Sequence, residues 1–171
     1  MKISSIAIEK IITKELVIFS VLSFIVIFSP FFGVQAVTGP LVNAALFLAT
    51  IFLGIKGATL LAIFPSITAL AVGFLPLHIA PLIPFIIIGN IILVIVFNRF
   101  KENYWKGIFL ASFSKFFFLY TFSFLISGVL FSGKIAKVAT TMMSWPQLAT
   151  ALVGGLITYF VVLLIKTREN I

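Results

Sequence analysis

An otherwise apolar sequence carries a short set of side chains, within its apolar runs or beside their outer ends, that can hydrogen-bond, stack or carry charge. They are Gln35, Thr38, Asn43, His78, Asn90, Trp145 and Gln147, with Lys115 as the lone cation inside an apolar run. Amide donors and acceptors beside an aromatic face are what a binding pocket for a small solute needs. Polar residues within membrane-type segments are expensive and are functional candidates by default. Each also has a plainer use. Asn43 and Asn90 can tie helices together, and Trp145 can anchor at an interface. Gln147 follows Pro146 and can cap a helix start, and His78 lies between Pro76 and Pro81 in a loop. Lys115 can snorkel toward water or meet an anionic group as a charge partner.

Catalysis has almost nothing to draw on. The chain holds no Cys, no Asp, one His and four Glu, so Cys nucleophiles and disulfides are excluded. No triad or carboxylate pair can be assembled, which predicts a non-enzyme with no cofactor. A metal site would rest on His78 alone, and one imidazole is too little. Residues 128–135 read GVLFSGKI, close to the phosphate-binding loop G-x-x-x-x-G-K-[ST]. Ile135 stands where the magnesium-holding hydroxyl is needed, so the stretch reads as a helix end and loop rather than a nucleotide site.

The elements that must position these residues follow from composition. Of 171 residues, 62% are apolar and 9% charged, and 21 are Phe. A soluble domain has about 45–50% and about 25%. The expected partner is therefore a lipid bilayer. The net charge of +8 bears on orientation in that bilayer rather than on nucleic acid, for which no partner role is expected.

A membrane helix needs about 20 apolar residues. Charges and Pro/Gly punctuation predict six spans, at about 16–32, 40–55, 58–75, 82–98, 107–131 and 145–165. Pro40 is expected at the first turn of the second span. The Lys56-Gly57 pair is expected to separate spans two and three. One helix of that combined length would run roughly 54 Å, too long for a single crossing. The fold class is an all-α membrane protein, a six-transmembrane-helix bundle forming one integral membrane domain over 1–171.

Alternate loops divide the basic residues unequally. Lys2, Lys10, Lys14, Lys56, Arg99, Lys101, Lys106, Lys166 and Arg168 fall on one side, and Lys134 and Lys137 on the other. The positive-inside rule then predicts both termini in the cytoplasm of a multi-pass protein of a prokaryotic cell membrane. The first 15 residues read as an interfacial cytoplasmic segment. With that orientation the candidate binding residues, apart from mid-span Asn90, fall in the outer half.

Small residues spaced i, i+4 let helix backbones approach closely in lipid. Such pairs are Ala45/Ala49, Gly54/Ala58, Ala58/Ala62 and Ala151/Gly155. They suit internal helix packing or docking of a partner subunit. No internal repeat of useful length is visible, which argues against an inverted-repeat transporter in one chain.

Four stretches carry a family likeness: TGPLVNAALFLAT (38–50), FPSITAL (64–70), PLIPFIIIGN (81–90) and SWPQLATALVGG (144–155). With the size, six spans and inside termini, the chain resembles the substrate-binding S components of energy-coupling-factor (ECF) vitamin transporters, in an uncharacterised subgroup. The resemblance implies a six-helix bundle binding a vitamin-like small molecule under loops one, three and five. Gln35, Thr38 and Asn43 would lie in or beside the first gating loop, His78 in the third, and Trp145 and Gln147 at the last loop and sixth helix. It also implies a separate membrane coupling subunit and an ABC-type ATPase pair as partners, with toppling in the membrane to release solute. Many members dock through an Ala-x-x-x-Ala surface on the first helix. Here that helix offers no Ala pair, only Ser20 and Ser23 at another spacing and Ser29 near its end. That leaves Ala45/Ala49 as the candidate docking pair, or a chain that works alone. A different class of reading remains open: a non-transporting accessory or assembly subunit whose Asn residues only bind helices together.

Overall fold

The computed structural model describes the backbone of residues 5–130 and 133–169, and the side chains of 13–125, 133 and 135–168. Lys2 lies outside the described residues, as do Phe131, the expected end of the fifth span, and Ser132 beside it in the GVLFSGKI stretch. Among the described residues eight α-helices follow one another: α1 (Ser5–Phe28), α2 (Gln35–Phe52), α3 (Gly54–Leu61), α4 (Phe64–Ala71), α5 (Ile83–Phe100), α6 (Tyr104–Leu130), α7 (Gly133–Met142) and α8 (Trp145–Glu169). Short 3-10 turns at Ser29–Phe32 and Leu77–Leu82 extend α1 and precede α5. No strand occurs among the described residues. Among the described residues six helical stretches are long and apolar enough to cross a membrane: Thr13–Phe32, Gln35–Phe52, Gly54–Ala71, Leu77–Phe100, Tyr104–Leu125 and Ile135–Arg168.

Several boundaries differ from the sequence expectation, each for a local reason. The helix over Ser5–Phe28 runs without a break, so the expected interfacial segment is continuous with the first span. The second helix starts at Gln35, and Pro40 stands inside it. The first turn is set by the Val34 carbonyl, which accepts from the Val37 and Thr38 N–H groups. Thr38 Oγ1 also donates to the Ser29 carbonyl at 2.9 Å, fixing the approach of the preceding turn. These tertiary ties outweigh the preference of proline for a first turn.

Spans two and three part at Gly54 rather than at Lys56-Gly57. Gly54 has φ of +71°, a left-handed conformation that other residues resist, and Lys56 and Gly57 continue inside α3. The third span is itself broken between Leu61 and Phe64. Pro65 stands at the start of α4, where its ring clashes with a continuous helix and its missing N–H costs nothing. The expected PLHIAP loop is largely 3-10 turn, and the loop expected before the sixth span contains α7.

The core gathers around α2, which packs along α8, α1 and α5, while α5 packs along α6. Leu46, Phe47, Ala49, Leu61, Leu93, Val94 and Phe97 are fully enclosed. Phe47 and Phe97 meet edge-to-face at 4.8 Å, a favoured aromatic geometry. The closest helix contact needs glycine. A Cβ on Gly154 would come within 2.9 Å of the Ala44 nitrogen and the Pro40 carbonyl oxygen. One on Gly155 would come within 2.5 Å of the Ile108 side chain. Tyr104 donates its hydroxyl to the Gly155 carbonyl at 2.7 Å, and Thr158 donates to the Ala44 carbonyl at 3.2 Å. Outward faces stay apolar, with Leu16, Val17, Val21, Phe24 and Phe28 exposed along α1. Such a surface suits a hydrocarbon surrounding.

Candidate functional site: a lysine held by two asparagines

The 3-10 turn after α1, the segment after α4, the turn before α5 and α7 gather at one end of the bundle. Beneath them a cavity of about 80 Å³ opens between α2, α4, α5, α6 and α8. Its polar lining comprises Gln35, Thr38, Asn43, Ser66, Asn90, Lys115 and Gln147. Val42, Ala69, Phe74, Leu75, Ile86, Met142 and Met143 form the apolar walls.

Lys115 centres the deep end. It is only 3% exposed, and its ammonium donates to Asn43 Oδ1 at 2.7 Å and to Asn90 Oδ1 at 2.8 Å. An ammonium can only donate, so both carboxamides must turn their oxygens toward it. Their nitrogens then look for acceptors elsewhere. Asn43 Nδ2 donates to the Gly39 carbonyl at 2.9 Å and reaches Thr150 Oγ1 at 3.5 Å. Asn90 Nδ2 donates to the Ala62 carbonyl at 3.2 Å, at the break between α3 and α4. Irregular backbone within an apolar bundle is tolerated where it faces a cavity or polar partner. The break marked by Pro65 meets that condition.

The shallow end is amide-lined. Gln35 Nε2 and Gln147 Nε2 both donate to the Met142 carbonyl, at 3.2 and 3.1 Å. Residues more than 100 positions apart thereby close over the end of α7. Thr150 Oγ1 donates to the Gln147 carbonyl at 3.2 Å, so the polar path is continuous from Met142 to Lys115.

The structure thus brings Gln35, Thr38, Asn43, Asn90, Gln147 and Lys115 around one space. His78 and Trp145 stand apart from it. His78 is exposed on the turn before α5. Trp145 is 68% exposed at the start of α8, so its ring is not an aromatic face of the cavity. Thr38 lines the space but its hydroxyl is committed to Ser29. Ala45, Ala49 and Ala151 are buried in the core and Gly155 is buried against Ile108. In this arrangement they pack helices and present no docking face.

Ser66 was not singled out by sequence. It is 2% exposed, lines the cavity, and its Oγ has no hydrogen-bond partner. The signal was Pro65, which sets where α4 begins and so which way the next residue faces. A groove of about 450 Å³ between α1, α2 and α8 is larger, but its lining is apolar apart from Lys14.

Chemically, the arrangement offers a buried cation, an unpaired hydroxyl and two outer carboxamides in an apolar cup. Among the described residues no group of His, Cys, Asp or Glu is placed to hold a metal ion. No protein-family model, no curated protein and no solved structure matches the chain.

Proposed function

We propose that this chain is the solute-binding membrane subunit of an ATP-driven uptake system of the energy-coupling-factor type. The observation that carries the reading is the convergence of polar side chains from α2, α4, α5, α6 and α8 on one cavity at one end of an apolar six-span bundle. Binding pockets have this make-up, apolar walls with a few convergent polar groups. The bundle sits in the cell membrane with both termini cytoplasmic, following the bias of Lys and Arg among its loops. That orientation turns the cavity outward, toward a solute to be taken up. The residues of the GVLFSGKI stretch lack the metal-binding hydroxyl of a nucleotide site. Energy then comes from a separate coupling subunit and an ATPase pair. Purification in detergent, followed by mass spectrometry of co-eluting small molecules, tests the binding half. Co-purification of an ATPase pair tests the coupling half.

One observation favours a second reading. Asn43 and Asn90 each also bond a backbone or side-chain group of their surroundings, Gly39, Thr150 and Ala62. An accessory or assembly subunit would use them only to bind helices. Such a protein would purify empty.

A further inference from the structure

We infer that the solute carries a single carboxylate, received by Lys115 with Ser66 as a second donor. The inference rests on the solute-binding reading and specifies what that same cavity takes. Among the described residues Lys115 is the one charged residue of the lining. The sequence has no Asp, and neither Glu15 nor Glu102, the two Glu whose side chains are described, lines the cavity. A buried ammonium is held economically only when an opposite charge and further hydrogen bonds complete it. Two carboxamide oxygens solvate it but leave its charge uncancelled. Ser66 adds a second observation: of the three described buried hydroxyls without a partner, Ser23, Ser66 and Ser112, it is the one that lines the cavity. Its hydroxyl is buried, faces the same cavity and bonds nothing. A buried hydroxyl left unpaired is costly, and a carboxylate oxygen would satisfy it.

Charge count selects among anions. One lysine cancels one negative charge, which a carboxylate supplies. A phosphate monoester, near −2 at neutral pH, would leave an uncancelled charge, with no arginine or second lysine among the described lining residues. Size narrows the class further. About 80 Å³ is well below the roughly 300 Å³ at which pockets for drug-sized ligands begin. The end of the solute that reaches Lys115 is therefore a carboxylate on a compact stem, with Val42, Leu75 and Ile86 as its apolar walls.

Matched acid and amide pairs test this on the full chain purified in detergent. Propionate and propionamide, benzoate and benzamide, and nicotinate and nicotinamide are compared by thermal unfolding and equilibrium binding, with inorganic phosphate as a further arm. At least one acid is expected to stabilise the protein while its amide and phosphate do not. Lys115→Met is expected to weaken that acid by about 100-fold, and Ser66→Ala by about 10-fold, the range for hydrogen bonds to charged groups. If Lys115→Met does not fold, the acid-against-amide comparison on the unaltered protein decides alone. Equal response to acid and amide, preference for phosphate, or a neutral co-purified molecule overturns the carboxylate inference and leaves solute binding standing. No response to any probe, with no co-purified molecule, overturns both.

Discussion

Lys115 Nζ lies 2.7 Å from Asn43 Oδ1 and 2.8 Å from Asn90 Oδ1, joining α6 to α2 and α5 through one buried cation. The pairing makes the three residues a unit, so their substitutions should not add. Asn90→Ala removes one acceptor from the ammonium and frees the Ala62 carbonyl. It should lower stability by about 1–3 kcal/mol. Lys115→Met removes a buried charge but leaves the Asn43 and Asn90 oxygens without their donor, two effects of opposite sign that should leave the Tm of the empty protein little changed. The double variant should recover part of the loss from Asn90→Ala. Thermal unfolding of the four proteins in one detergent measures the coupling, expected at about 0.5–3 kcal/mol. Additive losses would contradict the pairing.

Close approach of α8 to α2 gives a second prediction. A Cβ on Gly154 meets backbone atoms of Pro40 and Ala44 at 2.9 Å, where nothing flexible can yield. Gly154→Ala should therefore lower stability by about 1–3 kcal/mol. Ser20→Ala, on exposed α1 and bonded only to its own helix at Leu16, should stay within about 0.5 kcal/mol. Similar Tm values for the two variants would be inconsistent with the packing described.

Much of the framework was legible in the sequence because lipid-sized apolar runs and their breakers are local properties. Six spans and their approximate limits follow from the positions of charges, Pro and Gly. Pro40 favours a first turn by residue type, but the second helix starts at Gln35 because Val34 and Thr38 set the turn ahead of it. Gly54 rather than Gly57 breaks the chain, a choice that depends on backbone conformation and not on residue type.

The site was legible only in part, for a different reason. Intramembrane-type polar residues are costly, so Asn43, Asn90 and Lys115 stood out singly. Their pairing depends on which helices are neighbours, over sequence separations of 72 and 25 residues, and no local pattern encodes that. Trp145 and His78 drew notice by residue type, but their places at the bundle's end leave them facing outward.

That difference in placement predicts a difference in binding. Gln147→Ala removes a lining amide and its bond to Met142. It should weaken solute affinity about tenfold, the scale of one hydrogen bond to a ligand. Trp145→Ala should leave affinity within about twofold while still folding. Titration of the identified solute against both variants makes the comparison. A larger loss from Trp145→Ala would place the solute elsewhere.

Orientation can be tested without background, because the chain contains no Cys. Single cysteines at His78 and Lys137 should react with a membrane-impermeant maleimide on intact cells. Cysteines at Lys101 and Lys166 should react only after permeabilisation. The reverse pattern would turn the cavity toward the cytoplasm and remove the case for uptake.

The most direct measurement is the small-molecule content of the purified protein, by mass spectrometry after release from detergent. About one molecule per chain is predicted for the unaltered protein and for Trp145→Ala, and none for Asn90→Ala. An unaltered protein that carries no stoichiometric molecule, with Asn90→Ala changing only its stability, would contradict the account and leave the polar network as a helix tie.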